Sequence, residues 1–287
     1  MTLVINTNVT ALNAQRNLNN TTMKLGQSLE KLSSGYRINR ASDDAAGLAI
    51  SEKLRSQIRG FETASKNAQD GDGMLNIAEG SLGIIQENLQ RMRELVVQAA
   101  NGSNSNSEKA SIDKELTQLK SNIEQVANST GFNGLNLLTG SNKTLKLQIG
   151  ANSSASNDTL NIGSAFATTK YSVLVGGGSG YGNLATVTTS GASIGSLQSF
   201  IGNVDRALTS ISSRRAVIGA FSNRLESVVS NINIKVENIS AAESRIRNVD
   251  VAKETSNMTR FQILQQAAIS ILSQANQAPQ LALSLLK

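Results

Sequence analysis

Leu82-Gly83-Ile84-Ile85-Gln86-Glu87-Asn88-Leu89-Gln90-Arg91-Met92-Arg93-Glu94-Leu95-Val96-Val97-Gln98-Ala99 decides the fold. Leu82, Ile85, Leu89, Met92, Val96 and Ala99 recur at alternating steps of three and four, which is the seam of a coiled coil. The stretch completes a proline-free run that opens on Asp43-Asp44 and closes on Asn101-Gly102. Acid suits the positive end of a helix dipole, and Asn-Gly suits a helix exit. One continuous helix from Asp44 to Ala100 would extend roughly 85 Å at ~1.5 Å per residue. A helix that long needs an equally long partner.

Residues 194–240 supply one. Leu197, Ile201, Val204, Leu208, Ile211, Ile218, Leu225, Val229, Ile232, Val236 and Ile239 fit one heptad frame, interrupted only by Arg215 and Ser222. A polar residue in such a seam fixes register at a cost in stability. In 241–287, Leu264, Ala268, Ile271, Ala275, Ala278, Ala282 and Leu285 step by four and three, while Ile269, Leu272, Leu281, Leu283 and Leu286 fall on other faces. A helix apolar on several faces must be buried on several faces, so neighbouring molecules are expected to cover it. Pro279 is expected to kink or loosen this helix.

At the other end of the chain, residues 1–33 read as a short extended start and a helix. Leu18, Leu25 and Leu32 lie seven apart, with Leu29 joining them on one face. Periodicity leaves two readings open: an ordinary packed helix, or one strand of a coiled coil completed by the far terminus or by a second molecule. Ser33-Ser34-Gly35 should end this helix, and Arg37 and Arg40 beside Asp43 and Asp44 suggest local charge pairing at the joint.

Between the long segments, Ser103–Asn128 reads as a shorter helix. Ser105-Asn106-Ser107 offers cap residues, and Ile112, Leu116, Leu119, Ile123 and Val126 form its apolar face. Residues 131–140 are turn-rich. Leu145, Leu147 and Ile149 alternate with Lys146 and Gln148, a half-buried strand, and Thr159-Leu160-Asn161-Ile162 is its candidate partner. Residues 151–193 are dominated by Ser, Thr, Asn, Ala and Gly. Gly176-Gly177-Gly178-Ser179-Gly180 lacks the Lys-Ser/Thr of a phosphate-binding loop, so a turn-rich surface segment is expected. The fold class is mainly α: a long antiparallel helical hairpin or coiled coil of the N- and C-terminal regions, with a small β-hairpin or irregular segment in the middle.

Composition narrows function. The 287 residues include no Cys, His or Trp, a single Pro and 3% aromatics. Disulfides, thiolate or imidazole metal ligands, and Ser-His-Asp chemistry are excluded. No paired carboxylates or activated nucleophile stand out, so no catalytic, cofactor or metal site is expected. The formal charge is +6, but basic and acidic residues alternate (Glu30-Lys31, Glu52-Lys53, Arg93-Glu94). No clustered basic face marks a nucleic-acid partner. No run reaches ~18 apolar residues, so no membrane span is expected. Residues 1–7 lack the basic start and apolar core of a cleaved signal peptide.

Several motifs together resemble bacterial flagellin: Leu32-Ser33-Ser34-Gly35-Tyr36-Arg37-Ile38-Asn39, Asp43-Asp44-Ala45-Ala46-Gly47-Leu48, Asn88-Leu89-Gln90-Arg91-Met92-Arg93-Glu94-Leu95, Gly131-Phe132-Asn133-Gly134, Gln262-Ile263-Leu264-Gln265-Gln266-Ala267 and Gln274-Ala275-Asn276-Gln277-Ala278-Pro279-Gln280. The resemblance covers about the first 150 and last 95 residues. It implies that residues 1–43 and 241–287 are the two halves of an inner terminal coiled-coil domain. Residues 44–150 (with a β-hairpin) and 194–240 would form a helical shell domain, and 151–193 a short variable surface segment. It further implies a self-assembling, secreted, extracellular filament subunit, exported by the flagellar type III apparatus. Implied partners are a secretion chaperone on the C-terminal helix, a filament cap, hook-filament junction proteins and the vertebrate toll-like flagellin receptor. The positions matching that receptor's surface are Gln90, Arg91 and Leu95, with Glu115 on the adjoining helix. A hook-filament junction protein would share the paired terminal helices, but the density of flagellin motifs at both ends favours flagellin.

Overall fold

The computed structural model describes residues 8–140, 144–152, 154, 157–166, 189–190 and 192–284, the last stretch with side chains to residue 277. Five α-helices run through the described residues: α1 (Val9–Ser34), α2 (Ala45–Ala99), α3 (Asn106–Ser129), α4 (Ile194–Arg247) and α5 (Val251–Ser284). The chain forms two compact units, residues 1–58 with 237–287, and residues 59–236. The division falls inside α2 and α4. Most of the segment 151–193, including Gly176–Gly180, lies outside the described residues.

The unit of residues 59–236 is built on the α2 seam. Leu82, Ile85, Leu89, Met92, Val96 and Ala99 are all buried. On α4, Leu197, Val204, Ile211, Ile218, Leu225 and Ile232 are buried and Ile201, Leu208, Val229 and Val236 half-buried, as their heptad frame requires. α3 adds Ile112, Leu116, Ile123 and Ala127 to the same core. It opens with a capping box: Ser105 accepts from the Glu108 amide, and the Glu108 side chain accepts from the Ser105 amide, satisfying two orphan helix donors. Arg93 Nε reaches Asp205 at 2.7 Å and Arg215 reaches Gln86 and Glu79, so α2 and α4 run antiparallel.

Four short strands close this core. β1 (Gly131–Phe132) and β2 (Leu135–Asn136) form a two-residue hairpin whose turn residues Asn133 and Gly134 have φ of 47° and 78°. That left-handed pair is what Asn-Gly tolerates. β3 (Lys146–Gln148) pairs antiparallel with β4 (Thr159–Asn161), Leu147 opposite Leu160, and a 3₁₀ turn (Gly163–Phe166) buries Phe166. Gly71 on α2 is where β3 approaches: a Cβ there would collide with the Leu147 side chain. Residues 189–190 are tied to α3, since the Thr189 and Ser190 amides both donate to the Asp113 carboxylate.

The other unit pairs α1 with α5. Ser28 Oγ donates to Glu254 at 2.5 Å, Gln265 Nε2 to Thr22 at 3.2 Å, and Asn8 Nδ2 to the Ala275 carbonyl at 2.8 Å. The pair is therefore antiparallel and closed by the two ends of one chain, which selects one of the alternatives that periodicity left open.

Two sequence expectations are corrected here. The helix starting at 194 does not stop at 240; it continues to Arg247, and the break falls at residues 248–250. Asn248 is held out of helix by a bridge to Tyr36, and the Val249 amide donates to the Gly35 carbonyl at 3.0 Å. The Arg37 and Arg40 side chains bond elsewhere than to Asp43 and Asp44: Arg40 makes a two-pronged contact with Glu30, and Arg37 donates to the Ile246 carbonyl. Pro279, expected to loosen this helix but to be tolerated in it, lies within α5, which runs to Ser284.

Candidate interaction surfaces

The α1–α5 pair buries little of its apolar surface. Within α1 only Ala14 and Ser28 are buried; Leu18, Leu25 and Leu32 are half-buried in the seam with them. Leu29, expected on that face, is 47% exposed, because a 3-4 frame running 11, 14, 18, 21, 25, 28, 32 puts Ser28 in the seam instead. On α5 the side turned to α1 is Met258, Phe261, Gln265, Ala268, Leu272 and Ala275. Ala268 and Ala275 thus lie where the sequence frame puts them. Leu264 and Ile271 do not: they are 46% and 58% exposed, since Gln265 and Leu272 occupy those layers. The side chains of Ala278 and Ala282, and all of Leu285, lie outside the described residues.

What remains uncovered is extensive. Val9, Leu12, Met23 and Leu29 on α1, and Val251, Ile263, Leu264, Ile269 and Ile271 on α5, all face outward. Two helices packed as a pair cover one strip of each other. Exposed apolar side chains in this number on one helix pair point to an interaction site.

In the same unit, residues 35–44 form a braced joint. Gly35, at φ 74°, ends α1. The Asp43 carboxylate accepts the Asn39 and Arg40 amides at 3.1 and 3.0 Å, and these backbone donors, Arg40 first, hold its pKa below the ordinary carboxylate value. Asp44 accepts the Gly47 amide at 2.8 Å and caps α2. Arg247, whose side chain is 11% exposed, bonds Glu52 and lies 4.6 Å from the Tyr36 ring centre. That hydrogen bond, chiefly, lowers the Glu52 pKa. Both folded-state pKa values are depressed, so their stabilisation is full above the ordinary carboxylate pKa of about 4 and is lost as pH falls through the folded values. Acidification from pH 6 to 3 is therefore expected to shift the Asn39 and Arg40 amide resonances, and Asp43→Asn to remove that titration. A titration that persists in the variant would discount Asp43.

The second surface is on the α2–α3 flank. Arg91 Nε bonds Glu115 at 2.8 Å and Nη1 bonds Glu94 at 3.2 Å. The Glu115 hydrogen bond is the main reason the Arg91 pKa is raised. Arg91 stays half exposed and Gln90 exposed, so three of the four candidate receptor residues form a polar cluster open to solvent. Leu95 is not part of it: at 2% exposure it packs into the core, where the seam spacing of its neighbours Met92 and Val96 draws it. Among the described residues no three His, Cys, Asp or Glu side chains group as a metal site, and no helix is long and apolar enough to cross a membrane.

One family model, the bacterial flagellin N-terminal helical region, matches residues 5–143, and another, the bacterial flagellin C-terminal helical region, matches 201–286. Flagellin of Halalkalibacterium halodurans is 42% identical over 285 residues, 99% of this chain and all of that one. Flagellin of Bacillus subtilis is 43% identical over 308 residues, 99% of each chain. The flagellar filament 33 kDa core protein of Treponema phagedenis is 42% identical over 296 residues, with 99% of this chain and all of that one covered. Among solved structures, Bacillus cereus flagellin is 30% identical with a TM-score of 0.48, covering 62% of this chain and 94% of that one. A putative flagellar hook-associated protein from Vibrio parahaemolyticus shares the fold at 18% identity and a TM-score of 0.50, covering 72% of this chain and all of that one.

Proposed function

Because the chain belongs to the bacterial flagellin family, we propose that it is a structural subunit of the bacterial flagellar filament, polymerising head to tail with copies of itself outside the cell. The observation that carries this is the outward-facing apolar surface of the α1–α5 pair. A heterologous contact that does not close on itself generates an open helical polymer. In this reading residues 1–43 and 241–287 form the inner tube, residues 44–150 and 194–240 the shell around it, and 151–193 the outer surface. The work is mechanical, with no chemical step.

The same apolar surface calls for cover before assembly. A secretion chaperone on α5 would keep Leu264, Ile269 and Ile271 from aggregating during type III export, a cap protein would place subunits at the tip, and hook-filament junction proteins would receive the first of them. Electron microscopy before and after adding filament seeds or a precipitating salt tests the assembly reading. Long tubes with a central channel are expected; persistent monomers or short closed oligomers in the presence of seeds would overturn it.

The exposed cluster of Gln90, Arg91 and Glu115 supports a second activity, as an agonist of the vertebrate toll-like flagellin receptor. Surface ion pairs such as Arg91–Glu115 contribute under ~1 kcal/mol to stability, so Arg91 is free to exchange its partner. Hydrogen bonds to a charged group are worth about 1.5–3 kcal/mol. Arg91→Ala is accordingly expected to raise the half-maximal signalling dose of the monomer roughly tenfold or more without unfolding it. An unchanged dose response would remove the receptor assignment.

A further inference from the structure

The α4 seam repeats every seven residues for about six heptads. Sliding α4 along α2 by one heptad, about 10 Å, would therefore set apolar layers against apolar layers again. Hydrophobic burial discriminates poorly between such registers, and a degenerate seam needs another device to select one.

Polar residues beside the seam provide it. Asp72, Glu79, Gln86 and Arg93 lie seven apart on α2, and all four engage α4. Ser222 Oγ donates to Asp72. Arg215 donates to Gln86 at 2.9 Å and to Glu79 at 3.3 Å. Arg93 meets Asp205 at 2.7 Å. Arg215 and Ser222 are the two residues that interrupt the apolar frame of α4. We propose that these contacts form a register lock, a charge-graded ladder that holds α2 and α4 in one antiparallel alignment against slippage by a heptad.

The sign pattern along the ladder makes the lock directional. α2 presents acid at 72 and 79, a neutral amide at 86 and a base at 93. A slip of one heptad in one direction carries Arg215 from Gln86 to Arg93, setting two cations together. A slip in the other direction takes Arg93 from Asp205 to Gln198 and places Asp205 at Gln86, but it also moves Arg215 onto Glu79 and Asp72, so this direction is opposed more weakly. Each rung is half exposed and weak alone, but a slip changes them all at once. The same polar residues interrupt the seam at a cost in burial, which is the usual trade for a single register.

The absence of Cys from the chain makes the test clean. Spin labels on Asp70→Cys and Ser213→Cys, both exposed, read the axial offset of α2 and α4 by pulsed dipolar spectroscopy on the full chain. With the ladder intact one distance is expected. With Arg215→Leu, Arg93→Leu and Asp205→Leu combined, a second population is expected, reflecting an axial shift of about 10 Å. A helical variant that keeps the single parental distance would overturn the proposal. Should the triple variant fail to fold, the reversal Arg93→Asp decides. It must produce a second distance or a broadened one, and adding Asp205→Arg must restore the parental peak. A reversal that leaves the distance unchanged also overturns the lock.

Discussion

A chain carrying Ile263→Asp and Ile271→Asp is expected to fold as a monomer and to lose polymerisation. The two side chains are 61% and 58% exposed on the outer face of α5, so the monomer has little to lose there; surface substitutions usually change stability by under about 0.5 kcal/mol. In the filament each would be covered, and full burial of an Ile contributes about 1.5–3 kcal/mol. An unpaired carboxylate in the same contact is unfavourable. At 1.4 kcal/mol per tenfold, two such sites raise the critical concentration by at least about 100-fold. Seeded turbidity and electron microscopy would measure it, with circular dichroism confirming the monomer's helix content. Growth at the parental critical concentration would show that α5 assembles through another face.

Leu89→Ala should strongly destabilise the monomer. Leu89 is fully buried in the α2 seam, one layer beneath the Gln90–Arg91 surface. Truncating a core leucine removes its transfer energy and leaves a cavity, at a cost of about 2–5 kcal/mol. Urea unfolding should show a lower midpoint with an unchanged slope. Ile84→Ala on the same helix, where the side chain is 48% exposed, is the contrast and should cost far less. Equal losses at the two positions would mean that the seam spacing does not mark the core.

The long helices of the 59–236 unit were legible because their signals are local and repetitive. Leu82 to Ala99 and Leu197 to Val236 each present one dominant apolar strip, and a helix with one strip has one face to bury. Ser105 and Glu108 are likewise a signal contained within four residues. The β1–β2 hairpin was missed: residues 131–140 read only as turn-rich, although Asn133-Gly134 is a hairpin-turn signal. Leu95 is a different case. Its position in a surface motif suggests exposure, but its side chain turns inward beside Met92 and Val96.

The terminal pair shows where local signals stop. By itself the sequence determined that α1 and α5 are helices, that α1 ends at Gly35, and that α5 carries more apolar surface than one partner can cover. It did not determine which strip of α5 meets α1. With Leu264, Ala268, Ile271 and Ala275 along one strip and Ile263, Ile269 and Leu272 off it, several frames bury similar area, and small polar contacts decide among them: Ser28 with Glu254, and Thr22 with Gln265. Those partners are more than 200 residues apart in the chain. The break at Asn248–Asp250 has a local part, the Asp250 carboxylate accepting the Lys253 amide at 3.1 Å, and a distant part, the bridge of Asn248 to Tyr36. Periodicity and capping are properties of a segment; the choice among equivalent faces, and a bridge such as Tyr36 with Asn248, exist only once the two ends of the chain have met.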